Sequence, residues 1–182
     1  MIISLDEAKK IDPTVTKDEL DAYEQMVRQL TNNHFQNLHA RYHQLVFTDQ
    51  SLEFKSNPPS GEPIAIREGD TIQISDSKYN DGLHVVKSID GKTLTLDNEE
   101  PFFEGSFFSA FITKIKYPAD IRIGVRGLIE YKAKMGSKLG IKSETIARMS
   151  VTYYDVNATD NIEGFPASKF SFLKKYKKMR WG

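Results

Sequence analysis

Apolar residues near the start of the chain recur at a helical period. Leu20, Tyr23, Val27 and Leu30 form one stripe at the 3.6-residue spacing. Ser4 precedes Glu7 by three residues, and Thr16 precedes Glu19 by three. Both pairs fit a capping box, in which the hydroxyl accepts from the N3 amide and the Glu reaches back to the cap amide. The first helix is predicted to be short, because Asp12-Pro13 stops it. Asn32-Asn33 marks the end of the second.

From about Leu38 to Tyr117 the period drops to two. Tyr42, Gln44 and Val46 alternate with His43, Leu45 and Phe47, and Thr71–Ser75 and Thr93–Leu96 alternate cleanly. Asn80-Asp81-Gly82 and Asp90-Gly91 are turn signals, since Gly tolerates positive φ. Glu68 to Leu96 therefore reads as strand, turn, strand, hairpin, strand, and Phe107 to Lys116 adds another strand. Ser56–Gly61 and the aromatic stretch Pro101–Ser106 read as loops. Strands at this spacing suggest a small antiparallel barrel or sandwich.

Helical spacing returns after Pro118, with Ile121, Val125, Leu128, Ile129 and Lys132 on one stripe and Gly136 as C-cap. Ile146 to Tyr154 alternates again. Ala147, Met149, Val151 and Tyr153 share one face, the pattern of a strand or extended arm. After a loop from Asn157 to Pro166, a last helix is predicted through Lys178, burying Phe170, Leu173 and Tyr176. The fold class that follows is α+β. A small helical bundle, residues 1–37 with 118–182, is interrupted by an inserted antiparallel β domain, residues 38–117. Such insertions are tolerated because the ends of the insert lie close together.

Composition adds a charge gradient. The 182 residues hold 25 Lys+Arg and 25 Asp+Glu, with 39% hydrophobic residues, enough for a packed core. Residues 1–27 carry seven acids and three bases, whereas residues 164–182 carry six bases and no acid. A zero balance argues against a nucleic-acid binder charged over its whole surface. The absence of cysteine excludes disulfides, thiolate metal sites and cysteine nucleophiles. The N-terminus lacks the pattern of a secretory signal, and no apolar run approaches the roughly 18 residues of a membrane span. The default compartment is the cytosol.

Little in the sequence points to catalysis. His39 and His43 would share a strand face, but no third ligand follows, so no metal site is expected. Gly91-Lys92-Thr93 follows a hairpin turn and lacks the earlier glycine of a phosphate loop. Glu104 lies among aromatic residues and reads as a loop contact rather than a general acid. No cofactor and no catalytic residue are assigned, and the chain is not expected to be an enzyme.

The C-terminal bases are more informative. Lys169, Lys174, Lys175, Lys177, Lys178 and Arg180 exceed what a helix dipole needs at its end. They point to a negatively charged partner, either a phosphate backbone or an acidic protein face. Trp181 is a candidate anchor there. Four Phe in the stretch 102–108 exceed what one face of a short hairpin buries. Some pack in the β core and some, Phe102 and Phe103 in particular, are candidates to contact a neighbour.

Several segments resemble head–tail connector (adaptor) proteins of phages and prophages of Gram-positive hosts. They are Met1–Lys10, Leu30–Gln36, Gly69–Ile74 with Tyr79–Gly82, Tyr117–Ile121, Met135–Ile146, Ser150–Tyr153 and Gly164–Ser168, with the Leu-Lys-Lys-Tyr run ending in Arg180-Trp181. These are packing and turn motifs, so the resemblance implies assembly rather than catalysis. The shorter members look like plain helical bundles with an extended arm, and the β insert departs from them.

The resemblance implies a structural virion protein. Its partners would be the portal protein, a tail-completion or head-closure protein, and itself in a ring, a dodecamer in the virion. DNA would be present only as channel contents, and assembly would take place in the host cytoplasm. The basic C-terminal helix would dock on the portal, and the arm with Met149, Val151 and Tyr153 would pack on a neighbouring subunit. The alternative is a nucleic-acid-binding small barrel with a basic C-terminal helix. Against it, residues 68–104 hold nine acids and only Lys78, Lys87 and Lys92 as bases.

Overall fold

The computed structural model describes residues 1–56, 63–98, 100–135, 143–146, 149–152 and 161–179. The chain divides into two compact units, Met1–Asn33 with Tyr117–Gly182, and His34–Lys116. The first contains helices α1 (Leu5–Lys9), α2 (Lys17–Thr31) and α3 (Ala119–Met135), and a 3-10 helix (Ala167–Tyr176). The second contains strands β1 (Gln36–Thr48), β2 (Ser51–Phe54), β3 (Thr71–Ser75), β4 (Gly82–Asp90), β5 (Thr93–Leu96) and β6 (Gly105–Ile115). Two small hairpins, β7 (Ser143–Ile146) with β8 (Met149–Thr152) and β9 (Asn161–Ile162) with β10 (Phe165–Pro166), belong to the first unit. The fold is α+β with a closed barrel.

Local chemistry starts the helices. Ser4 Oγ accepts from the Glu7 amide at 3.2 Å, and Thr16 Oγ1 from the Glu19 amide at 3.3 Å. The two Glu side chains engage α3 rather than their own caps. Glu7 pairs with Arg126 at 2.5 Å, and Glu19 pairs with Lys132. Asn32, at φ 48°, ends α2 with its amide on Arg28 and Gln29 carbonyls, a left-handed cap that Asn tolerates. The core of this unit gathers Leu20, Tyr23 and Val27 of α2, Ile121, Val125, Leu128 and Ile129 of α3, and Phe165, Phe170 and Leu173. Phe165 lies 6.1 Å from Tyr23, 5.9 Å from Tyr131 and 6.1 Å from Phe170 by ring centroids. Glu163 and Gly164, both at positive φ, turn β9 into β10 and place that ring. Glu24 is buried, paired with the Met1 ammonium at 2.8 Å and accepting from Tyr117 Oη at 2.8 Å. Burial, then the Glu24 carboxylate, pushes the Tyr117 phenol pKa up, so it stays a donor.

The last helix differs from expectation. It is a 3-10 helix, and its three residues per turn align Phe170, Leu173 and Tyr176 on one line. Phe170 and Leu173 are buried, but Tyr176 is only half-buried. Its hydroxyl donates to Asp120 at 2.7 Å. The chain leaves the helix at Lys177 in an extended conformation, earlier than the expected Lys178.

The six barrel strands pair antiparallel in the order β1-β2-β5-β4-β3-β6 and close on themselves, which leaves no open edge. Leu45, Phe47, Leu52, Phe54, Ile72, Ile74, Leu94, Leu96 and Ile112 fill the interior. Strand β2 was not expected from the sequence. The alternation expected along β1 fails at Gln44, which sits at φ 62°. There β1 advances two residues, His43 to Leu45, while β6 moves four, Phe111 to Phe107. The irregularity reverses the phase, so Tyr42, Leu45 and Phe47 all point inward. Tyr42 Oη accepts from the Ala65 amide at 2.8 Å, which satisfies the one polar atom it brings inside.

Candidate assembly surfaces

The C-terminal bases split into two groups. Lys175 pairs with Asp120 at 2.5 Å, and Lys169 stands over the Tyr131 ring at 5.2 Å. Hydrogen bonds from Lys175 and then Tyr176 hold the Asp120 carboxyl below its ordinary pKa, and Asp120 in turn raises that of Lys175. Lys174, Lys177 and Lys178 are exposed. Their backbone is nevertheless tied down. The Lys178 amide donates to the Thr31 carbonyl at 2.8 Å. Asn32 Nδ2 donates to the Met179 carbonyl at 3.2 Å, and Asn33 Nδ2 to that of Tyr176 at 3.3 Å. Met179 is 76% exposed. The segment thus presents ammonium groups and a thioether outward from a fixed backbone. Arg180 and Trp181 lie outside the described residues.

Met149 and Val151 lie on β8, which pairs with β7 through Ile146↔Met149 and Ser143↔Thr152. Within the strand or arm expected over 146–154, Ile146 ends β7 and Met149–Thr152 form β8, the second strand of a hairpin. Tyr153, Ala147 and the expected cap Gly136 lie outside the described residues.

The barrel has a built surface at the end opposite Gln36 and Ile115, where the chain enters and leaves it. Three loops meet there: 49–50 after β1, 76–81 after β3 and 97–104 after β5. Phe102 is not a surface group. It is buried against Phe47, with ring centroids 5.0 Å apart, and against His84 at 5.4 Å, and it closes this end of the core. Phe107 also packs against the core, whereas Phe103 is 65% and Phe108 82% exposed.

Phe103 is held by a side chain that copies strand pairing. Asn80 Nδ2 donates to the Phe103 carbonyl, and Asn80 Oδ1 accepts from the Phe103 amide, both at 2.9 Å. Asn80 is itself buried and bound by Ser77 Oγ at 3.0 Å, and Ser77 donates to Asp81 at 2.5 Å. Asp76 and Lys78 adopt positive φ to make the tight loop. The Tyr79 ring, 56% exposed, lies 5.3 Å from that of Phe103, with Lys78 over it at 5.1 Å. Sequence reasoning missed Tyr79. Its signal was the position just before the Asn80-Asp81-Gly82 turn.

The other candidates do not converge. His39 and His43 are exposed, and the His43 ring packs on Phe111 at 5.4 Å. Among the described residues no group of three or more His, Asp or Glu is placed to hold a metal ion. Glu104 accepts from the Asp49 amide at 3.2 Å, a loop contact. A cleft of about 280 Å³ in the helical unit is walled by Tyr23, Met26, Tyr131 and Phe165, with Glu19, Lys132 and Glu163 at its margin. No helix among the described residues is long and apolar enough to cross a membrane. No protein-family model matches the chain, and no curated protein matches it.

Proposed function

We propose that the chain is a structural subunit of a phage or prophage virion, forming a ring at the head–tail interface beneath the portal. Its helical unit acts as a small bundle that builds the ring wall, and its barrel is an added docking module. The ring extends the DNA channel and carries the tail-completion protein.

The observation that carries this reading is a pair of outward surfaces of opposite character. One is the Tyr79–Phe103 aromatic pair in an acidic barrel end. The other is the lysine segment ending in Met179. Apolar surface rimmed by polar groups marks interaction sites, and adjoining exposed rings among carboxylates suit a subunit. The resemblance of the helical segments to connector proteins supplies the rest.

Electron microscopy of the protein mixed with a phage portal protein from the same genome tests the proposal. Rings seated on the portal are expected. Failure to join the portal, together with tight, steeply salt-dependent binding to single-stranded DNA, would overturn it in favour of the nucleic-acid module.

A further inference from the structure

The distal end of the barrel carries more than two aromatic rings. Among the described residues its three loops hold Asp49, Asp76, Asp81, Asp97, Glu100 and Glu104, against Lys78 as the single base. The same chain carries the opposite surface in Lys174, Lys177, Lys178 and Met179. Both surfaces are fixed before any partner arrives. Asn80 sets Phe103 through two hydrogen bonds, and Thr31, Asn32 and Asn33 hold the backbone of the lysine segment. Preorganisation of this kind lowers the entropic cost of association.

We propose that the acidic aromatic end of the barrel receives the Lys174–Met179 segment of a second copy of this chain. Lysine ammonium groups meet the loop carboxylates and the exposed Phe103 ring, a favourable cation–π arrangement, beside Tyr79, whose ring Lys78 already covers. The Met179 thioether packs against the ring edges, where sulfur–aromatic contact is favourable. Each copy offers one donor segment and one acceptor end, so the contact is head-to-tail and closes into a ring when the rotation allows. The proposal rests on the ring reading and names the partner that the C-terminal bases meet.

Two variants test it by complementation in sedimentation velocity. One carries Tyr79→Ser and Phe103→Ser. The other carries Lys174→Glu, Lys177→Glu and Lys178→Glu. All five side chains are exposed, so thermal melts like that of the wild type confirm folding. The wild type self-associates, and added salt weakens the association. Each variant alone loses about tenfold or more in affinity. Their equimolar mixture regains one intact interface and forms a one-to-one pair that grows no further.

A mixture that stays monomeric, or a variant that associates like the wild type, overturns the proposal. A wild type that is monomeric alone yet forms rings on the portal also overturns it, and leaves the ring reading standing. In that case the lysine segment meets the portal. A wild type that neither self-associates nor forms rings on the portal removes both readings.

Discussion

Gly124 and Phe172 offer the sharpest test of how the C-terminal segment is seated. A Cβ added at Gly124 would lie 2.4 Å from Cε2 and Cζ of Phe172 and 2.5 Å from Cε1. Ordinary carbon contacts are about 3.5–4.0 Å, so the ring must retreat by about 1 Å or more. Complete burial of a Phe side chain contributes about 1.5–3 kcal/mol, and Phe172 is only partly buried. Displacement therefore costs about 1–1.5 kcal/mol. Ala in a helix interior gains about 0.8–1 kcal/mol over Gly. Gly124→Ala is thus expected to be neutral or to destabilise by up to about 0.7 kcal/mol once both effects are combined. Gly127, on the same helix with nothing within 4 Å of its added Cβ, is the control. Gly127→Ala should stabilise by the full helical gain of about 0.8–1 kcal/mol, and so should Gly124→Ala in a Phe172→Ala background. Urea titration followed at the 222 nm ellipticity, dominated by α1, α2 and α3, measures all five proteins. A coupling below about 0.3 kcal/mol between positions 124 and 172 would refute the seating.

Two further outcomes follow from the same geometry. Asn80→Ala leaves the Phe103 amide and carbonyl without their partner and should lower barrel stability by about 1–2 kcal/mol, and Asn80→Asp by at least as much, because it sets a buried carboxylate oxygen against the Phe103 carbonyl; a barrel melt unchanged in both variants would exclude this role. The Asp120 carboxyl titrates below its ordinary value of 3.8 because Lys175 and Tyr176 donate to it, so its contribution is complete above that pH and is lost as pH falls through the depressed value. The acid-side decline of the urea midpoint should therefore be shallower in Asp120→Asn than in the wild type, and identical slopes would contradict the linkage.

What could be read from the sequence was whatever one segment decides alone. Ser4 and Thr16 cap their helices because a hydroxyl and an amide three residues apart meet through the backbone itself. The partners of Glu7 and Glu19 were not legible, since Arg126 and Lys132 come from a distant helix. Strand β2, Ser51-Leu52-Glu53-Phe54, alternates as β5 does, but no glycine turn precedes it, and Asp49 takes the positive φ there instead. The strand's identity comes from β1 and β5 pairing on either side. The reversal at Gln44 depends on β6 taking four residues where β1 takes two, which no period-two pattern contains.

The candidate surfaces divide the same way. The four Phe of 102–108 and the run of lysines are visible as composition, but which of them face outward is settled elsewhere in the chain. Phe102 is drawn in by Phe47 and His84, and Phe103 is held out by Asn80. Lys175 is claimed by Asp120 and Lys169 by Tyr131, which leaves Lys174, Lys177 and Lys178 outward. A partner meets only the side chains left over after such internal claims. The outward remainder at the barrel end is acidic and aromatic, and at the C-terminal segment it is cationic with a thioether. That opposition is the physical reason to expect the chain to associate with its own copies in one orientation.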